Sequence, residues 1–301
     1  MGRFPIHIAS LGRQVEILSK AMDNVETQSV GENYFSFFRG SGLEFKGYRE
    51  YTPGEDSKNI DWKASLRSDK LLVKEFLQEK GLDVVFVYDV SETMLFGSKS
   101  KIKAHYGAEF ILTLASTALD SNYNVGLLCF SDKVKEQFFP ASSENQIAFF
   151  LDVLSNHSTY GGEFDLTKAL EFIDATYSAG SVVILVSDFL GSKFPLEHYK
   201  DKFKQLAIKF DLISVVLRDK RDEFMPDDNI NVVASNPFDG GHIFFNTKKI
   251  KKKYEKYTKK QKVELRNFFE DINSEYIELY TDIDFVNPTV AFFKRRDALS
   301  K

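Results

Sequence analysis

Between Asp83 and Asp219 the chain alternates short apolar runs with amphipathic stretches, and that alternation limits it to an α/β fold built on a mostly parallel sheet. The runs 83–88, 124–130, 181–187 and 211–217 are almost continuously apolar, as strands covered on both faces must be. The stretches 101–120, 144–155, 165–178 and 197–209 space their apolar residues three and four apart, which predicts helices. Val134 to Phe139 is predicted as an antiparallel edge strand. Together these units predict a doubly wound, Rossmann-like sheet.

Flanking segments have other textures. Leu11, Val15, Leu18 and Met22 predict an N-terminal helix within residues 1–30. Residues 31–80 are aromatic, charged and punctuated by glycine, which predicts a lobe of short strands. Residues 81–220 form the α/β domain. Residues 221–301 are predicted to extend its sheet, with strands near 230–234, 242–245 and Tyr276–Tyr280 and a closing helix from about Pro288.

Charge and cysteine usage exclude several classes. Forty basic against 44 acidic residues give a net charge of −4, so no global field draws the chain to nucleic acid or an anionic membrane. Lys248–Lys262 runs the other way and reads either as a solvated helix face or as a docking site for an acidic partner or RNA. Cys129 is the only cysteine, which excludes an internal disulfide framework and a cysteine-rich zinc module. The N-terminus lacks a signal-peptide layout, and no apolar stretch approaches the ~18 residues of a membrane span. A cytoplasmic protein without direct membrane insertion is expected.

In an open parallel sheet, ligands bind beyond the carboxyl ends of the strands. Two runs end there in polar residues: Val84–Tyr88 enters Asp89-Val90-Ser91-Glu92-Thr93, and Val182–Val186 enters Ser187-Asp188. Asp89, Ser91 and Thr93 occupy alternate positions, so an extended loop presents one carboxylate and two hydroxyls to one point. Such hard oxygen donors suit Mg²⁺.

The D-x-S-x-[ST] loop resembles the metal-ion-dependent adhesion site of von Willebrand factor A domains, with Asp188 matching the distal carboxylate. More specifically, Gly42-Leu43-Glu44-Phe45, Arg49-Glu50-Tyr51-Thr52-Pro53-Gly54-Glu55-Asp56, Asn59-Ile60-Asp61-Trp62-Lys63-Ala64-Ser65 and Leu217-Arg218-Asp219 resemble the DUF58 family. The resemblance implies a von Willebrand A-like sheet with an N-terminal β-containing lobe. It also implies a non-enzymatic adaptor for a MoxR-type AAA+ ATPase, acting in chaperone-like maturation or assembly of client proteins. Its metal ligands would be Asp89, Ser91, Thr93 and Asp188. In one respect the chain departs from the pattern: Gly161-Gly162-Glu163-Phe164-Asp165-Leu166 offers Phe164 or Glu163 where a threonine ligand is expected, with Thr159 nearby. A metal-free interaction domain with a decayed site is therefore the alternative.

Around Trp62, the only tryptophan, Arg49, Glu50, Asp56, Asp61 and Lys63 supply opposite charges. They read either as a buried ion-pair network or as a partner-binding surface centred on Arg49, Trp62 and Lys63. The enzyme rival is a haloacid-dehalogenase-type phosphatase, in which Asp89 would be the nucleophile and Asp227-Asp228 the metal pair. Ser91 stands where that chemistry needs a second acid, and a hydroxyl does not shuttle the proton. The chain has no phosphate-binding G-x-x-x-x-G-K-[ST] loop and no paired histidines at zinc-ligand spacing.

Overall fold

The computed structural model describes residues 6, 11–18, 45–52, 60–68, 70–76, 81–99, 101–191, 194–235 and 241–300. Its strands are β1 (Phe45–Glu50), β2 (Leu72–Phe76), β3 (Asp83–Asp89), β4 (Asn124–Phe130), β5 (Val134–Ala141), β6 (Val182–Ser187), β7 (Asp211–Arg218), β8 (Asn231–Ser235), β9 (His242–Asn246) and β10 (Glu275–Tyr280). Its helices are α1 (11–18), α2 (Trp62–Ser65), α3 (Lys103–Asp120), α4 (Asn145–Ser155), α5 (Thr167–Thr176), α6 (Lys200–Lys209), α7 (Lys220–Glu223), α8 (Thr247–Asp271) and α9 (Val286–Ser300).

Six strands form the central sheet in the order β10-β7-β6-β3-β4-β5. All neighbours are parallel except β4 and β5, which run antiparallel at one edge. Alternate side chains divide the core between two faces, as the pleat requires. Val84, Phe86 and Tyr88 pack on α3, α4 and α9, whereas Val85, Val87 and Phe130 pack on α5, α6 and α8. The chain is thus a mixed α/β, Rossmann-like three-layer structure. From β3 it winds outward through β4 and β5, then returns to the other side of β3 as β6. Winding reverses between β3 and β6, which is where such sheets open a crevice for ligands.

Helix α3 lies unusually close to the sheet. A Cβ on Gly107 would sit 2.6 Å from the Tyr88 hydroxyl oxygen, and that hydroxyl donates to the Ala104 carbonyl at 2.8 Å. The contact needs the missing side chain, and it brings the first turn of α3 beside the strand ends.

In the N-terminal lobe β1 and β2 pair antiparallel, and Asp61 caps α2 through the backbone N–H groups of Lys63 and Ala64. The charges do not surround a buried indole. Trp62 is 60% exposed, Arg49 and Lys63 are exposed, and Glu50 pairs with Lys70 in solvent. With the ring this exposed, Trp62 is not the centre of a buried network, which was one of the two readings of these charges. The turn expected at Thr52-Pro53-Gly54-Glu55 and the position of Asp56 lie outside the described residues, apart from Thr52 itself.

Candidate functional site

The reversal point places the end of β3 beside the end of β6. Parallel register pairs Tyr88 with Val186, so Asp89 and Ser187 leave the sheet side by side. Asp89 is fully buried. Its Oδ1 accepts the Ser91 backbone N–H at 2.8 Å, and its Oδ2 accepts the Ser187 hydroxyl at 2.6 Å. Ser187 Oγ in turn accepts the Phe189 N–H at 2.9 Å, and Phe189 adopts a left-handed φ of 52°. That turn aims Asp188 back across the strand ends.

Ser91, Thr93 and Asp188 then form a chain of oxygens. Ser91 Oγ and Thr93 Oγ1 share a hydrogen bond of 3.1 Å, and Thr93 donates to Asp188 Oδ1 at 3.1 Å. The structure therefore brings Asp89, Ser91, Thr93 and Asp188 together, with Arg49, Trp62 and Lys63 on β1 and α2.

Sequence reasoning assigned no role to the charged groups behind this cluster, although Arg218 and Asp219 lie in a segment that carries the family resemblance. Lys103, fully buried at the start of α3, donates to Asp188 Oδ2 at 2.5 Å and to Asp222 Oδ2 at 3.2 Å. Asp222 also accepts the Asp219 backbone N–H at 2.8 Å, while Asp219 accepts that of Arg221 at 2.8 Å, a reciprocal cap for α7. Ser98 and Thr281 donate their hydroxyls to Asp219 at 2.6 and 3.1 Å. Arg218 donates to the Asp188 carbonyl at 2.5 Å. One signal for Lys103 was available: it shares a helical stripe with Gly107, Phe110 and Leu114, all buried.

The electrostatics follow from these contacts. Burial alone would lower the Lys103 ammonium, but Asp188 and then Asp222 outweigh it and hold its pKa above the ordinary lysine value. Burial also raises Asp219, yet hydrogen bonds from Ser98, Arg221 and Thr281 bring it below the usual range. Asp89 has no cationic partner among the described residues. Burial first, and the neighbouring Asp188 second, push it from 3.8 up to about 7, despite hydrogen bonds from Ser187 and Ser91.

This donor set fits Mg²⁺. No three histidine, cysteine, aspartate or glutamate side chains converge among the described residues, so the set rests on two carboxylates and two hydroxyls. The 3.1 Å oxygen separations lie near the ~2.9 Å edge of an octahedron with 2.0–2.1 Å bonds. A buried carboxylate without a countercharge is also what a cation relieves.

The neighbouring loop shapes the site. Gly161 (φ 115°) and Gly162 (φ 94°) bring its backbone against the first loop, where Gly161 N–H donates to Val90 at 2.7 Å and Glu92 N–H to Gly162 at 3.0 Å. Phe164 is buried in the core, its ring 6.0 Å from Phe130 and 6.2 Å from Phe189. Thr159 donates to the Val153 carbonyl at 2.9 Å, and Glu163 is exposed. Asp227, exposed on its loop, pairs with Lys251 on α8.

Fold and site thus define an α/β protein with an acidic, hydroxyl-lined cluster at the switch point of its sheet. The chain belongs to the family described as protein of unknown function DUF58, whose pattern it matches over residues 47–264. Uncharacterized proteins of Mycobacterium tuberculosis and Mycobacterium bovis are 19% identical over 197 residues, 65% of this chain. The chain spans 61% of the length of these relatives. Among solved structures it is similar to BatB of Bacteroides thetaiotaomicron (13% identity, 72% of this chain and 99% of that one, TM-score 0.48). An aerotolerance-related membrane protein of Bacteroides fragilis gives 16% identity, 72% and 99% coverage and a TM-score of 0.46. No helix among the described residues is long and apolar enough to cross a membrane.

Proposed function

We propose that this chain is a non-enzymatic, von Willebrand A-like interaction module that captures a carboxylate of a protein partner at the β3–β6 switch point. The observation that carries this reading is the continuous oxygen cluster of Asp89, Ser91, Thr93 and Asp188, with Asp89 buried and without a countercharge among the described residues. Mg²⁺ held by these four residues would supply an open coordination position for a partner's Asp or Glu. Ser187 and the Ser91 amide orient Asp89, and Lys103 fixes Asp188 through Oδ2 so that Oδ1 faces the hydroxyls. The partner we propose, on the family resemblance, is a MoxR-type AAA+ ATPase, with the pair acting on client proteins in a chaperone-like role.

Millimolar Mg²⁺ is expected to raise the melting temperature, because a ligand held only by the folded state stabilises it by mass action. Asp89→Ala is expected to abolish that rise. Capture of the ATPase is expected to be lost in EDTA. No thermal shift with Mg²⁺ would favour a metal-free interaction domain, and EDTA-resistant capture would overturn the carboxylate mechanism.

A further inference from the structure

Helix α8 carries a charge distribution that the switch-point site does not use. Lys248, Lys249, Lys252, Lys253, Lys256, Lys259 and Lys260 are all exposed. At about 100° per residue they fall within an arc of about 140°, over roughly three turns. The opposite face is committed to the protein. Tyr254 donates to the Arg221 carbonyl at 2.7 Å, Thr258 donates to that of Glu223 at 3.0 Å, and Leu265 is buried. Of the seven lysines, only Lys260 has a carboxylate partner among the described residues, Glu264 at 3.4 Å. Lysines at i and i+4 repel one another, so the arc weakens its own helix.

The hairpin β8–β9 feeds directly into this helix at Asn246, which caps it through the Lys249 N–H. It holds apolar side chains in solvent: Val233 is 53% exposed, Ile243 65% and Phe244 79%. Val233 and Phe244 are cross-strand partners, so they share one face of the ribbon.

We infer that the lysine arc of α8, with the apolar hairpin at its start, is a docking face for an anionic lipid surface. Three features select that occupant. First, every cation in the arc is a lysine, a point charge without the planar fork that reads an individual carboxylate or phosphate, as suits a diffuse field of headgroups. Second, the arc lies along the exposed side of a single helix, a convex shape that suits a plane, whereas strand-binding proteins track nucleic acid in a groove. Third, basic charge joined to exposed apolar side chains gives the two signals that reversible membrane association requires.

The test is sedimentation of the full chain with vesicles. At about 0.1 M salt, pure phosphatidylcholine vesicles are compared with vesicles containing about one-third phosphatidylglycerol. Binding is expected to favour the anionic vesicles at least tenfold and to fall steeply with added salt. The triple variant Lys249→Glu, Lys252→Glu, Lys256→Glu is expected to lose roughly 100-fold or more, since each basic residue contributes about fivefold near such a surface. The corresponding Gln variant, with a melting temperature no lower than that of the parent chain, separates lost charge from lost folding and is expected to lose nearly as much. Phe244→Ser is expected to weaken binding at a salt concentration where the lysines are screened. Equal binding to both vesicle types, or full binding by the charge variants, would overturn the inference. Tighter, salt-resistant binding to a single-stranded RNA oligomer would reassign the surface to nucleic acid.

Discussion

Lys103 and the lysines of α8 are the same side chain put to opposite uses, and burial makes the difference. Lys103 lies out of water between Asp188 and Asp222, at 2.5 and 3.2 Å, and its charge balances the interior. The lysines on the outer arc of α8 face solvent with little to balance them, unlike Lys251 and Lys262 of the same helix, which are paired with carboxylates. Removing a charge from the first setting strands its partners in a poorly solvating medium, whereas removing one from the second relieves repulsion. A lysine's role is therefore set by its surroundings, which residue type alone does not reveal.

The largest effect expected from this contrast is at Lys103. Lys103→Met leaves two buried carboxylates facing each other and is expected to cost about 3–5 kcal/mol in urea unfolding at neutral pH. A loss below about 1 kcal/mol would show that the contacts to Asp188 and Asp222 are not what holds the α3 start in place.

A second test uses the carboxylate that has no lysine. Between its ordinary 3.8 and the folded value of about 7, Asp89 keeps a proton in the folded protein that the unfolded chain has released. Stability from this group is complete below about pH 4 and lost as pH rises through about 7, a decline of at most about 4 kcal/mol. In metal-free buffer Asp89→Asn is expected to flatten that decline, as read from melting temperature against pH. An unchanged slope would mean that Asp89 is already compensated.

The smallest effect is expected on α8. Lys252→Glu places an acid between Lys248 and Lys256 and is expected to raise stability by about 0.2–0.5 kcal/mol for each new i,i+4 pair. A clear loss instead would mean that Lys252 packs on something the exposed arc does not suggest.

The central sheet was legible because buried parallel strands leave continuous apolar runs. The run expected at 181–187 became β6, Val182–Ser187, buried throughout, and the edge strand expected at Val134–Phe139 became antiparallel β5. Asp89, Ser91 and Thr93 were legible as one group, but not for the reason expected: the loop is not extended throughout, and a 3-10 turn over Glu92–Leu95 brings Thr93 Oγ1 within 3.1 Å of Ser91 Oγ. The charge network behind them was not legible. Lys103 meets Asp188 across 85 residues and Asp222 across 119, and no local pattern reports pairings over such separations. Trp62 misled for a related reason: opposite charges close in sequence suggested a network, yet the short α2 leaves the ring 60% exposed.

Ser187 joins these parts with a single oxygen, donating to Asp89 and accepting from Phe189. Because that atom serves both strand ends, neither Asp89 nor the turn bearing Asp188 can shift without breaking a bond of the other. The cluster is thereby preorganised. If the cluster takes a cation as proposed, the ion would meet oxygens already in place, little conformational entropy would be lost on its arrival, and the cost of binding would fall mainly on stripping the ion of its own water.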